Sequence, residues 1–423
     1  MTRKSTKHPH YDRVRSWPQL ERAWLKVHEN GIRSPSQETR AEIKQFSVDS
    51  RKHLQRIAKQ LRKDRFCFQP GQGTPVTRSG KKHRPLVKAP IEARIVQRAL
   101  LDVLQDEPAL KQYFLIETSF GGIKDRSVEN AIEAAYDAMH NGAAYFLRSD
   151  IHDFFQNIPR QRPLATIASI IHDDRFNLLL NRATITELDN LVELGRHADL
   201  YPTYEIGVAQ GCSLSPLLGN ILLYDFDTRM NGRGIACLRY IDDFIILGPE
   251  PKRVLKAFDS AQAILAQYNL QAYDPRTRCE KAEIGPTARG LDFLGCDIRP
   301  GLISPNKAAR KRLLAKVEEI FKESRVLMPH PKRIARQRKS VKDTLNEVDN
   351  LARGWGNQYS FCNDGHLWKW LDQEIDKRIA KYLRSYSRTQ KRFAQNNDSY
   401  SRRRLLGVHL LADSKSAPII RRS

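Results

Sequence analysis

Tyr240-Ile241-Asp242-Asp243 lies between two apolar runs, Ala236 to Leu238 before it and Phe244 to Leu247 after it. The pattern predicts a β-hairpin with acid at its tip. Both carboxylates then stand clear of the core and can share a cation, as a divalent metal requires for phosphoryl chemistry. An isolated Asp-Asp between strands is ordinarily only a polar turn. Its companions decide what it means.

The first companion is Asp150, at the end of a stretch (Ala144 to Ser149) that reads as a buried strand. Two-metal nucleotidyl transfer needs acidic ligands from separate segments, because ions about 3.5–4 Å apart must bridge the attacking oxygen and the leaving phosphate. His152 and Asp153, just beyond the strand end, read as surface groups rather than a general base. The second companion is the small-residue turn from Gly207 through Gln210 and Gly211 to Asn220, whose backbone can approach a base pair closely. Taken alone, it reads as the start of a helix with Ser215 as N-cap and Pro216 in the first helical position.

In this order the three segments resemble the palm of the reverse transcriptase family. Arg84-Pro85-Leu86-Val87-Lys88-Ala89-Pro90 with Arg94 to Leu100 looks like its first finger block, and Ser119-Phe120-Gly121-Gly122 with Asp125-Arg126-Ser127 like its second. Lys281 matches the lysine-bearing segment and Phe293-Leu294-Gly295-Cys296 the primer-grip segment. Val348 to Tyr359, with Arg353 and Trp355, is similar to the thumb motif of group II intron maturases, and it also reads as an amphipathic helix burying Trp355.

The resemblance implies an α+β right-hand polymerase: fingers, a palm of antiparallel sheet plus helices, and an α-helical thumb. The expected divisions are a basic helical extension over 1–66, fingers over 67–143, palm over 144–300, thumb over 301–388 and a basic tail over 389–423. It implies that Asp150, Asp242 and Asp243 hold two Mg²⁺ ions (Mn²⁺ as an alternative), and that Lys82 and Arg84 clamp a dNTP triphosphate. Gln210 and Gly211 would border the nucleotide, and Lys281 would protonate pyrophosphate. Tyr240, Phe293, Leu294, Gly295, Arg353 and Trp355 would grip primer and template. Phe155, five residues after Asp150, would sit beneath the sugar and exclude a 2′-hydroxyl, which argues for dNTPs. Phe154 beside it is expected to face the core. The implied partners are an RNA template and an RNA–DNA product duplex.

Charge supports a nucleic-acid enzyme independently. Residues 1–88 carry a net charge of +15 and residues 305–423 one of +16, which leaves −7 between them out of +24 for the whole chain. An acidic centre between basic flanks suits a protein that grips phosphate backbone from both sides. The six cysteines are scattered, with no C-x-x-C pair, which argues against a zinc site and for a reducing compartment. No signal-peptide core and no run of about 18 apolar residues is present, so a soluble, cytoplasmic protein without membrane partners is expected.

Residues 12–66 have helical apolar spacing, 160–205 read as palm helices, and from Tyr386 the composition turns to Ser, Asn, Gln and Arg, reading as a loosely ordered tail. Asn30 to Ser50 departs from the glycine-rich stretch usual in group II relatives. The chain also lacks the Cys/His pattern of an HNH nuclease. A free-standing enzyme that copies a dedicated noncoding RNA, resembling the defence-associated bacterial group, is the expectation. The rival readings are a maturase acting in splicing, a retron enzyme (whose hairpin usually has Ala where Ile241 stands) and an RNA-dependent RNA polymerase, which Phe155 disfavours.

Overall fold

The computed structural model describes residues 8–76, 83–202, 205–277 and 280–414. Two compact units divide the chain, Met1–Thr287 and Ala288–Ser423.

In the first unit, helices Pro9–Val14, Trp17–Ile32, Gln37–Val48 and Ser50–Arg62 lead into a hairpin of β1 (Gln72–Val76) and β2 (Arg84–Lys88). The four helices share one core with the rest of the unit, from Tyr11 and Leu20 through Leu100 on helix Ile91–Asp106 to Leu147 and Phe244. Tyr11 anchors them: its hydroxyl donates to Leu61 O at 2.6 Å and its N–H to Asp173 Oδ2 at 2.9 Å.

The sheet that matters for function contains β3 (Tyr145–Asp150), β4 (Ala236–Tyr240), β5 (Asp243–Gly248) and β6 (Glu283–Pro286), all antiparallel, in the order β4-β5-β3-β6. β5 is an unbroken apolar run because Phe244, Ile245, Ile246 and Leu247 are all wholly buried. Helix Pro251–Ala266 packs on β3 and β5.

Three expectations change at this level. Helices Gln161–Ile170 and Asp174–Thr184 form as read, but the segment after them docks on the β1 hairpin. Gly71 N donates to Glu187 O at 2.8 Å, and the Asn190 side-chain amide both accepts from Gly73 N and donates to Gly73 O, each at 2.9 Å. A side-chain amide thus stands in for a strand neighbour, a local bond that apolar spacing does not reveal. Ser215 does not cap its helix. Its hydroxyl donates to Ala209 O at 2.8 Å, and Leu214 holds the N-cap position without a side-chain bond. From Tyr386 to Leu406 the chain is mostly helical: Gly365–Gln395 continues through the change in composition, Ser399–Leu406 follows, and Leu405 is wholly buried. Tyr386 and Phe393 pack on the core of this unit, which outweighs the polar composition.

The second unit begins with a meander of β7 (Leu291–Phe293), β8 (Cys296–Arg299) and β9 (Leu302–Pro305). Helices Lys307–Leu327, Val341–Gln358 and Gly365–Gln395 follow, packed around Val317, Phe321 and Tyr382. The rings of Phe321 and Tyr382 stack at 4.7 Å, and the Tyr382 hydroxyl lies 2.9 Å from Ser324 Oγ. Among the described residues no helix is long and apolar enough to cross a membrane.

Candidate active site

The hairpin tip is a two-residue loop: Tyr240 pairs with Asp243, which leaves Ile241 and Asp242 to turn the chain. Ile241 has φ +63°, while Asp242 is outside the left-handed region. Left-handed backbone at only the first loop position is the type II′ pattern, where glycine is preferred. A β-branched residue there is strained, by about 1–3 kcal/mol.

Asp150 lies directly opposite Asp243 in the β3–β5 register. Cβ atoms of such partners are about 4.5–5.5 Å apart and share a face of the sheet. Asp242 is tied to the same strand end, because Ile151 N donates to Asp242 O at 3.0 Å. Three carboxylates thus meet at the ends of adjoining strands. Burial, and then the Asp150 charge, push Asp242 up to about 6, with Arg84 and Lys281 pulling the other way. Burial, and then the charges of Asp242 and Asp150, push Asp243 up to about 7.

Lys281 Nζ donates to Asp150 Oδ2 at 2.5 Å and lies 4.6 Å from the centre of the Tyr273 ring, which stacks on His152 at 3.5 Å. Burial works to lower the Lys281 pKa, but its bond to Asp150 outweighs that and holds it above the usual lysine value. Among the described residues no group of three or more His, Cys, Asp or Glu side chains forms a ready-made metal cage. The carboxylates nevertheless suit hard divalent cations: the donors are all oxygen, Asp150 Oδ1 is buried with no hydrogen-bond partner, and the three charges repel one another.

The remaining expected residues fall in three groups. Arg84, on β2, is exposed and its charge reaches Asp242. Gln210 and Gly211 pack on the same strand. Val87 N donates to Gln210 O at 2.8 Å, and a Cβ on Gly211, at φ +117°, would come within 2.5 Å of Val87 O, so only glycine fits. Phe155 is half-buried, its carbonyl accepting from Val208 N at 2.7 Å. Phe154 is buried as expected, at the start of a short helix, Phe154–Asn157. Tyr240 is half-buried at the end of β4. Lys82 lies outside the described residues.

The last group belongs to the second unit. Phe293 is wholly buried, and Leu294 and Gly295 form a tight turn with φ +49° and +87°. Arg353 is exposed and bonds Asp349 at 2.8 Å. Trp355 packs against Tyr359 and Trp368, with centroids 4.7 and 5.6 Å away.

Sequence reasoning missed Arg239, wholly buried two residues before the hairpin loop and ion-paired with Asp227. The signal was present: one arginine inside the apolar strand Ala236-Cys237-Leu238-Arg239-Tyr240. Tyr273, beneath the Lys281 ammonium, had no signal of its own.

Residues 76–298 match the family described as reverse transcriptase (RNA-dependent DNA polymerase). The chain belongs to the reverse transcriptase family. Among curated proteins, this reverse transcriptase is 24% identical over 279 residues to Protein YkfC of Escherichia coli, covering 57% of this chain and 70% of that one. It is 27% identical over 175 residues to an uncharacterized 91 kDa protein in the cob intron of Schizosaccharomyces pombe, covering 41% of this chain and 20% of that protein's length. Among solved structures, a partial Cas6-RT-Cas1–Cas2 complex matches with a TM-score of 0.35 and 23% identity, over 63% of this chain and 42% of the other. Apo telomerase from Candida tropicalis, truncated from its C-terminal domain, matches with a TM-score of 0.40 and 14% identity, over 56% and 55%. The fold of this reverse transcriptase is the mixed α+β polymerase fold, with antiparallel sheets and helices.

Proposed function

We propose that this protein is an RNA-directed DNA polymerase whose centre is Asp150, Asp242 and Asp243. The observation that carries the reading is the convergence of these three carboxylates, with Asp150 opposite Asp243 in register, inside a chain of the reverse transcriptase family. The three would hold two Mg²⁺ ions, with Mn²⁺ as a substitute. Such ions, when bound, ease deprotonation of a primer 3′-hydroxyl and neutralise charge on the triphosphate and the departing pyrophosphate.

The chain's own groups do the rest by position and charge. Arg84, with Lys82, clamps the triphosphate through its planar fork. Lys281 holds the proton that the pyrophosphate takes up. Gln210 and Gly211 border the nascent base pair, and Phe155 closes the floor beneath the sugar against a 2′-hydroxyl. In this reading residues 67–143 act as fingers, 144–300 as palm and 301–388 as thumb. Tyr240, Phe293, Leu294, Gly295, Arg353 and Trp355 hold primer and template. The extension over 1–66 and the tail over 389–423 add basic surface for RNA.

The finer proposal is that the template is one dedicated noncoding RNA and that the product serves antiviral defence in the cytoplasm. It is supported by the sequence resemblance to free-standing defence-associated enzymes and by the basic flanks. Sequencing the RNA and DNA that co-purify with the wild type and with Asp242→Ala/Asp243→Ala tests it. One dominant small RNA in both samples, with its complementary DNA in the wild type alone, is expected. A mixture of host transcripts with no Asp-dependent DNA would favour a splicing cofactor.

A further inference from the structure

We infer that Arg239, with Asp227, Asn220 and Ser119, forms a buried bracket that holds Ile241 in its left-handed conformation and so aims the Asp242 carboxylate. The inference rests on the polymerase reading above and assigns these four as positioning residues.

A guanidinium has five N–H donors, and all five of Arg239 are engaged. Nε donates to Asp227 Oδ1 at 2.7 Å and Nη2 to Asp227 Oδ2. Nη2 also donates to Ser119 Oγ at 2.8 Å, and Nη1 donates to Asn220 Oδ1 at 3.0 Å and to Ile241 O at 2.8 Å. The partners come from helix Tyr224–Arg229, helix Ser215–Leu222, the loop at Ser119 and the hairpin turn itself. One wholly buried side chain therefore ties three other segments to the residue that precedes Asp242.

The turn is also held from its other side. Gly121 lies so close that a Cβ there would come within 2.5 Å of Ile241 N. That glycine is fixed by Asn220, whose Nδ2 donates to Gly121 O at 3.0 Å. The same loop docks on the strand through Phe120 N to Arg239 O at 2.9 Å and Arg239 N to Thr118 O at 2.8 Å. Ile241 is thus gripped at its carbonyl by Arg239, with Gly121 so close to its nitrogen that no side chain fits between them, while Asp242 O bonds to Ile151, next to Asp150.

Stability alone does not call for this arrangement. A buried ion pair replaced by apolar side chains of similar volume is often neutral or stabilising. What an apolar pair cannot do is donate to Ile241 O. Without that bond the turn is free to relax from a conformation its β-branched residue disfavours, which would rotate the peptide joining Ile241 to Asp242.

The test uses the full chain with an RNA template, a DNA primer and dNTPs. Arg239→Met/Asp227→Leu removes both buried charges together, and Arg239→Lys keeps the charge opposite Asp227 but loses the planar fork. Each is made alone and combined with Ile241→Gly, because glycine accepts positive φ without strain. Melting temperature, template–primer affinity, kcat, KM for dNTP and the Mg²⁺ concentration for half-maximal rate are measured. The bracket predicts a lowered but still cooperative melting transition, because Asn220 Oδ1 and Ile241 O lose their donor, near-wild-type template–primer affinity, kcat down by about a hundredfold, and a higher Mg²⁺ requirement. It also predicts that Ile241→Gly recovers about tenfold of the lost kcat. Unchanged kcat, a kcat loss that glycine does not recover, or a failure of both Arg239 variants to fold would overturn it and leave Arg239 a stability element. If the wild type itself shows no Asp242-dependent synthesis, it is the polymerase reading that fails.

Discussion

Lys281 Nζ lies 2.5 Å from Asp150 Oδ2, so the ammonium of a residue on one side of β6 sits on a carboxylate at the end of β3. That contact makes Lys281 a competitor for the charge that a metal would use, beside the proton-donor role proposed for it. Lys281→Gln is expected to lower kcat by about a hundredfold, the ordinary contribution of a general acid, and to reduce the Mg²⁺ concentration for half-maximal rate. Mg²⁺ titration of single-nucleotide incorporation reads both effects. A fall in kcat with a raised Mg²⁺ requirement would count against the competition.

The raised carboxylates set a pH dependence whose sign is fixed. An Asp in an unfolded chain titrates near about 3.9, whereas Asp242 and Asp243 sit at about 6 and about 7 in the fold. Between about pH 4 and pH 7 the folded protein keeps protons that the unfolded chain has lost, so stability falls as pH rises through that window. Added Mg²⁺ should therefore raise the melting temperature more at pH 8 than at pH 5. Melting curves in chelator and in Mg²⁺ at both values check this, and an equal gain at the two would contradict it.

Phe155 is half-buried beside the wholly buried Phe154, with ring centroids 5.5 Å apart. Phe155→Ala should open the floor under the sugar and improve rNTP use relative to dNTP by about tenfold or more in the ratio of kcat/KM. Competition between the two nucleotides at one template position measures it. An unchanged ratio would assign Phe155 to packing alone.

Gly211→Ala should destabilise the first unit by about 1–3 kcal/mol, since its added methyl meets the Val87 carbonyl at 2.5 Å with φ +117°. The bond from Val87 N to Gln210 O would loosen with it, so KM for dNTP should rise along with the loss in melting temperature. Denaturant unfolding and steady-state kinetics report the two effects separately.

The hairpin, the Asp150 strand and the glycine turn were legible because each pairs an apolar run with a polar interruption, and apolar runs predict strands and helices. Arg239 was marked by its charge inside an apolar strand, but its role was not legible: it depends on Asp227, Asn220 and Ser119, which spacing along the chain does not relate. Tyr273 is set against Lys281 by folding alone. The Asn190 contact to Gly73 and the helical course from Tyr386 to Leu406 escaped for related reasons. The first depends on a side-chain amide acting as a strand partner, and the second on Tyr386, Phe393 and Leu405 finding a core that composition does not predict.

The most direct test of the central claim is RNA-templated extension of a DNA primer by the purified protein, its Asp150→Asn and Asp242→Asn variants, and Mg²⁺-free controls. The account predicts templated DNA synthesis by the wild type in Mg²⁺ and loss of at least about a hundredfold in either variant, with melting temperature and RNA affinity retained. Synthesis that survives in both variants, or a folded wild type that binds RNA yet extends no primer, would contradict it.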